Sequence, residues 1–93
     1  MDGLSLPKDY RLLTQPQRRL VREEYRRIQK DNCAHCGTPL TTPPVIRRAI
    51  SSHLFPVGFF RHPIHLHHSH KTGMTIGAIH AYCNAVLWQY HGE

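Results

Sequence analysis

Two short pairs, Cys33-Ala34-His35-Cys36 and His80-Ala81-Tyr82-Cys83, limit the fold of this chain more than any other feature. Each pair closes a tight local chelate. Together they use all three cysteines, an odd number that argues against a closed disulfide framework. A Cys₃His set suits closed, tetrahedral zinc, and Gly37 permits the tight turn that a knuckle needs. His35 competes with His80 for the fourth position, and the plain alternative is a trio of buried thiols beside a surface His80. The chain has 93 residues, one domain's worth. A core of that size supplies only about 3–5 kcal/mol. Structural zinc contributes on the order of 10–16 kcal/mol in small modules, so the metal would decide whether the chain folds.

The elements on either side follow from local pattern. Residues 1–13 read as an irregular arm, and 14–93 as a single domain with a Pro-rich insertion at 38–63. Thr14 and Gln17 form a capping box, with Pro16 tolerated in the first turn of a basic helix. Leu20, Val21, Tyr25 and Ile28 give that helix an apolar stripe, and it should stop near Asp31-Asn32. After Pro44, the residues Val45, Ile46, Ala49, Ile50 and Leu54 suit either a short amphipathic helix, with Arg47 and Arg48 outward, or extended chain. Phe59 and Phe60 read as core. A strand over 64–68, a turn over 69–73, a returning strand over 74–79 and a helix from Ala81 to Tyr90 stopped by Gly92 complete a small α+β fold.

Charge points to an anionic partner. The formal net charge is +6, and Arg18, Arg19, Arg22, Arg26, Arg27 and Lys30 crowd one segment. Arg47, Arg48 and Lys71 extend the candidate DNA-binding set, and a solvated helix face is the plain alternative. No Asp or Glu occurs from Asn32 through Gly92. A metal bound there must use His, Cys, Asn or backbone oxygen, and a base must be His. Two-carboxylate hydrolases and carboxylate-clamped two-metal nucleases are excluded. No signal peptide or membrane-length apolar run is visible, so a reducing cytoplasm is the expected location.

The run Leu66-His67-His68-Ser69-His70-Lys71-Thr72-Gly73, followed by His80, Cys83 and Asn84 and preceded by the Cys33/Cys36 knuckle, resembles the HNH, or ββα-metal (His-Me finger), nucleases. Within these it is most similar to the phage recombination endonuclease VII type, over residues 25–92. The resemblance implies that His67 and Asn84 hold one catalytic divalent cation (Mg²⁺ or Mn²⁺, with Ni²⁺ or Zn²⁺ as alternatives). It implies that His68 is the general base, that His70 lies near the scissile phosphate, and that the products carry 5′ phosphate. It also implies a DNA partner and, for a phage protein, the cytoplasm of an infected bacterial host. Three positions depart from the family: His80 where Cys is frequent, His67 where Asp is frequent, and Ser69 where an acid is frequent.

Elementary chemistry agrees with these roles. A neutral imidazole with a pKa near 6.5 can take a proton from water at physiological pH. Consecutive strand residues face opposite ways, so His67 and His68 share one site only if the strand ends or bulges between them. The reading is a metal-dependent DNA endonuclease, either a nicking or homing enzyme or a branched-DNA resolvase. A zinc-stapled DNA-binding or inhibitory module with a decayed site is the alternative. Both a monomer and a homodimer fit the sequence.

Overall fold

A computed structural model describes residues 5–44 and 49–92. Val45, Ile46, Arg47 and Arg48, and with them the candidate helix after Pro44, lie largely outside the described residues. The fold is small α+β: helix α1 (Gln15–Ile28), strands β1 (Ile64–His68) and β2 (Thr75–His80) in a two-stranded antiparallel sheet, and helix α2 (Ala81–His91). Short 3-10 turns cover Tyr10–Leu12 and Ser52–Leu54. Among the described residues, no helix is long and apolar enough to cross a membrane.

Helix α1 starts as its sequence dictates. Thr14 Oγ1 accepts from the Gln17 N–H at 3.3 Å, and Gln17 Oε1 accepts from the Thr14 N–H at 2.8 Å. It ends at Ile28, before the expected stop, because Gln29 leaves the helix to serve the sheet. The Gln29 amide accepts from the Ala78 N–H at 3.0 Å and donates to the Ala78 carbonyl at 2.9 Å. Its side chain thus completes the backbone pairing of β2. Lys30 and Asp31 then take left-handed backbone, φ 55° and 60°, which costs roughly 1–2 kcal/mol per residue. Arg26 offsets that strain by gripping the Asp31 carboxylate at 2.6 and 3.1 Å.

The buried core is narrow. Val21 and Tyr25 of α1 face Leu66, Ala78, Ile79, Leu40, Cys33 and Cys83. Leu20 and Ile28 of the expected stripe are 60% and 55% exposed, since a sheet only two strands wide covers one i,i+4 pair and little more. The Phe59-Phe60 pair, expected as core, forms an edge cluster instead. Phe55, Phe59 and Phe60 pack together and against Trp88 and His65. The Ala49 carbonyl anchors this insertion to α2 by accepting from Gln89 and Tyr90.

The arm is irregular in backbone yet tied to the sheet. The Thr75 N–H donates to the Lys8 carbonyl and the Tyr10 N–H to the Gly73 carbonyl, both at 2.8 Å. Thr75 Oγ1 also accepts from the Lys8 N–H and pairs with the Tyr25 hydroxyl, each at 2.9 Å. Strand pairing runs from Ile64↔His80 to His67↔Gly77 and then slips, so that His68 faces Thr75 and Ile76 is left unpaired as a bulge.

Gly77 is where the sheet, Gln29 and the knuckle meet. A Cβ there would lie 2.8 Å from Gln29 Oε1 and 3.1 Å from the Ala34 Cβ. Gly77→Val is therefore expected to destabilise by about 1–3 kcal/mol, read as a lowered Tm of about 4–8 °C per kcal/mol for a domain of this size. Ile76→Thr, one residue away and exposed, should stay within about 0.5 kcal/mol of wild type. A Gly77→Val protein melting like wild type would remove this close approach from the account of the fold.

Candidate metal centre and histidine cleft

The ligand atoms of Cys33, Cys36, His80 and Cys83 all lie within 4.8 Å of one another. The knuckle brings two of them together. Gly37, with φ +80°, turns the chain so that its N–H reaches the Cys33 carbonyl at 2.9 Å, while the Cys33 N–H donates to the Thr38 carbonyl at 2.8 Å. The end of β2 and the first turn of α2 supply the other two. His80 Nδ1 is 3.4 Å from Cys36 Sγ and 3.6 Å from Cys83 Sγ. Tetrahedral zinc with ordinary bond lengths separates a thiolate from an imidazole nitrogen by about 3.5 Å.

Hydrogen bonding settles which His80 nitrogen faces the thiols. Nε2 lies 3.0 Å from the Pro39 carbonyl and 2.7 Å from the Thr42 carbonyl. Carbonyls only accept, so Nε2 carries the proton and the Nδ1 lone pair points to the thiols. Backbone N–H groups of His35 and Cys36 donate to Cys33 Sγ at 3.4 and 3.5 Å, and the Thr38 hydroxyl lies 3.1 Å from Cys36 Sγ. Cys33 is drawn toward its thiolate by the hydrogen bond from Cys83 and by these amides. Cys83 is pushed the other way, by that same bond, by burial and by the neighbouring thiolate charges. A divalent cation relieves this conflict, so the group can hold a structural metal ion such as zinc. His35, the competitor for the fourth place, is exposed and outside the group.

A cleft of about 560 Å³ opens between α1, the hairpin, the insertion and α2. His67, His68, His70 and Asn84 all line it, together with Arg18, Arg22, His65 and Trp88, and among the described residues no Asp or Glu does. β1 ends at His68, where the pairing slips opposite Ile76, and both histidines line the same cleft, His67 7% exposed and His68 half-buried.

His68 is held by stacking. The Tyr10 ring lies parallel to it, with centroids 3.9 Å apart and planes 7° apart. Arg18 Cζ sits 3.8 Å from the Tyr10 centroid. Two groups that close to one ring must occupy opposite faces, so Tyr10 is sandwiched. Arg18 also donates to the Tyr10 carbonyl at 3.1 and 3.3 Å. His70 meets His68 edge-on at 5.2 Å, and Trp88 donates its Nε1–H to His70 Nε2 at 3.4 Å. Burial holds the His68 pKa below the ordinary histidine range, helped by the nearby charges of His70, His67 and Arg18. It is therefore a neutral imidazole at physiological pH.

Asn84 follows Cys83 on α2, about 100° round the helix. Its amide lies 3.1 Å from His65 Nδ1, and His65 Nε2 lies 2.8 Å from the Phe59 carbonyl. Burial keeps His65 neutral as well. Tyr10, His65 and Trp88 were not among the residues assigned from sequence. Trp88 carried a signal, standing four residues after Asn84 on one helix face, whereas Tyr10 carried none. Ser69 serves the hairpin turn, its hydroxyl accepting from the Lys71 and Thr72 N–H groups at 3.2 and 3.3 Å.

The basic residues divide. Arg18 and Arg22 face the cleft, and Arg19 flanks the adjoining surface with Arg22 and His62. Arg26 is engaged by Asp31 and Glu23, and Arg27 by Glu24 at 2.7 and 2.9 Å. Lys30 lies beside those acids, away from the cleft. Lys71 is exposed in the hairpin turn. Comparison with protein-family models, with curated proteins and with solved structures finds no match for this chain.

Metal analysis of the purified protein should give close to one tightly held zinc per chain. Cys36→Ser should lose that zinc together with the cooperative melt, because a structural site contributes more than a core of this size. A cooperative fold that survives strong chelation would sink the zinc staple.

Proposed function

We propose that this protein is a metal-dependent DNA endonuclease of the HNH type, with a structural zinc and a single cation-assisted site in the histidine cleft. One observation carries the reading: adjacent His67 and His68, at the end of β1, line the same cleft as Asn84 and two arginines. His67 and Asn84 would hold the cation through an imidazole nitrogen and an amide oxygen. When bound, it supplies Lewis acidity at the scissile phosphate and stabilises the departing oxygen. With no carboxylate in the cleft lining, a dication beside Arg18 and Arg22 finds its balancing charge on a phosphodiester. This favours nucleic acid over a neutral substrate.

The protein's own groups do the rest. His68, neutral and clamped by Tyr10, takes a proton from water as the water oxygen attacks phosphorus. The bond from phosphorus to the 3′ oxygen breaks, that oxygen takes a proton from solvent, and 5′ phosphate and 3′ hydroxyl ends remain. Arg18, Arg19 and Arg22 fix the backbone of the substrate by phosphate contact, which positions it without reading sequence. His70, held by Trp88, faces the same phosphate from the hairpin turn.

His68→Ala is expected to slow single-turnover cleavage by roughly 10²–10⁴-fold while zinc content and DNA affinity stay near wild type. Because burial lowers the His68 pKa, a smaller fraction of it is protonated at any given acidic pH. The wild-type rate should accordingly fall only as pH drops through a midpoint below the ordinary histidine value of about 6.5. Near-normal cutting by His68→Ala would remove this residue from the mechanism.

The division among the arginines gives a second test. Arg19→Gln with Arg22→Gln should flatten the slope of log K against log salt by up to about two units, near 0.9 for each lost phosphate contact. Arg26→Gln with Arg27→Gln should leave it unchanged, since carboxylates hold those guanidiniums at 2.6 and 2.7 Å, whereas Glu23 lies 3.8 Å from Arg22. The reverse pattern would place DNA on the other face of α1.

A further inference from the structure

Phe59, His65 and Asn84 form a directional chain of hydrogen bonds that ends in the cleft. The Phe59 carbonyl can only accept, so the His65 nitrogen 2.8 Å away, Nε2, carries the ring proton. The Asn84 amide nitrogen lies 3.1 Å from His65 Nδ1 and can only donate, so Nδ1 is the acceptor. Both directions agree: Nε2 donates to the carbonyl and Nδ1 accepts from the amide. With Nδ2 committed to His65, Asn84 Oδ1 is the amide atom left for a cation.

We propose that His65 is a positioning residue that aims the Asn84 oxygen for the catalytic cation, and that the Pro-rich insertion supplies the carbonyl that sets its tautomer. The inference rests on the cleft being a cation-assisted site. An amide has two chemically different ends, and rotation about its last torsion presents either one. An amide nitrogen carries no lone pair for a metal, so an unrestrained Asn84 spends part of its time unable to bind. His65 removes that wrong state, as hydrogen-bonded outer partners do for metal ligands generally. Three segments thereby meet at one oxygen: Cys83 fixes the helix, Asn84 supplies the ligand, and the insertion orients it through His65.

Three replacements separate this role from packing. His65→Phe keeps a ring but no hydrogen bond. His65→Asn keeps both polar groups on a chain too short to span Phe59 and Asn84, and His65→Gln keeps both at a reach nearer to that of histidine. Two readouts are needed: the Mn²⁺ concentration for half-maximal plasmid nicking, and Mn²⁺ bound to zinc-loaded protein with a short duplex, followed by electron paramagnetic resonance in a His68→Ala background. His65→Phe and His65→Asn should raise both Mn²⁺ requirements by about 10–100-fold, with the saturating rate and DNA affinity held within about threefold. His65→Gln should return most of the loss. If His65→Phe fails to fold, the Asn and Gln variants decide. Unchanged Mn²⁺ requirements in Phe and Asn, or equal impairment in Asn and Gln, overturn the proposal. Asn84→Ala separates the two levels: if it leaves Mn²⁺ binding intact, the cation site itself is misread; if it abolishes binding while His65 variants do not, only the positioning role falls.

Discussion

Everything in this structure hangs from the convergence of Cys33, Cys36, His80 and Cys83 on one point. Leu40 and Ile79 are the largest fully buried side chains, and much of the remaining core is alanine and cysteine. Such a core is marginal against the entropy of ordering the chain. The Cys₃His group joins the knuckle after α1 to the junction of β2 and α2. Because Asn84 follows Cys83 directly, whatever fixes Cys83 also sets the azimuth of a cleft residue. Stability and site geometry are coupled by one covalent neighbour.

The cleft is built by contacts that cross the chain. Tyr10, brought in by the pairing of the arm with Gly73 and Thr75, clamps His68 from one end of the sequence. Trp88 holds His70 from the other. Phe59, in the insertion, reaches Asn84 through His65. None of these supports belongs to the histidine run itself. A ring fixed by stacking or by one hydrogen bond loses little further freedom on meeting substrate, which is how a small site reaches a usable geometry.

What was legible in the sequence was local or strictly spaced. The Thr14–Gln17 cap, the knuckle, the hairpin and the Gly92 stop each depend on residues a few positions apart, and each stands where the pattern puts it. The Cys₃His set was legible because chelate spacing survives any fold that closes it. The early end of α1 was not, since Gln29 leaves the helix for Ala78, 49 positions away. Nor was the engagement of Arg26, whose partner Asp31 adopts a backbone that composition does not announce. The clamp on His68 was hidden for the same reason: an arm without periodicity pairs with a strand start more than sixty residues later. That the strand must end or bulge at His67 and His68 was legible only as a requirement, deduced from two adjacent histidines needing one site, and β1 ends there.

The central claim, a cation-assisted phosphodiesterase in the histidine cleft, is tested most directly by the ends it leaves. Zinc-loaded wild-type protein is incubated with supercoiled plasmid, with and without added Mg²⁺, Mn²⁺ or Ni²⁺, and the nicked circles are then offered to a DNA ligase. Nicks that form only with added cation and are sealed by the ligase, as 5′ phosphate beside 3′ hydroxyl requires, are the expected result. No nicking with any of these cations, or nicks that form without them or resist sealing, would contradict it.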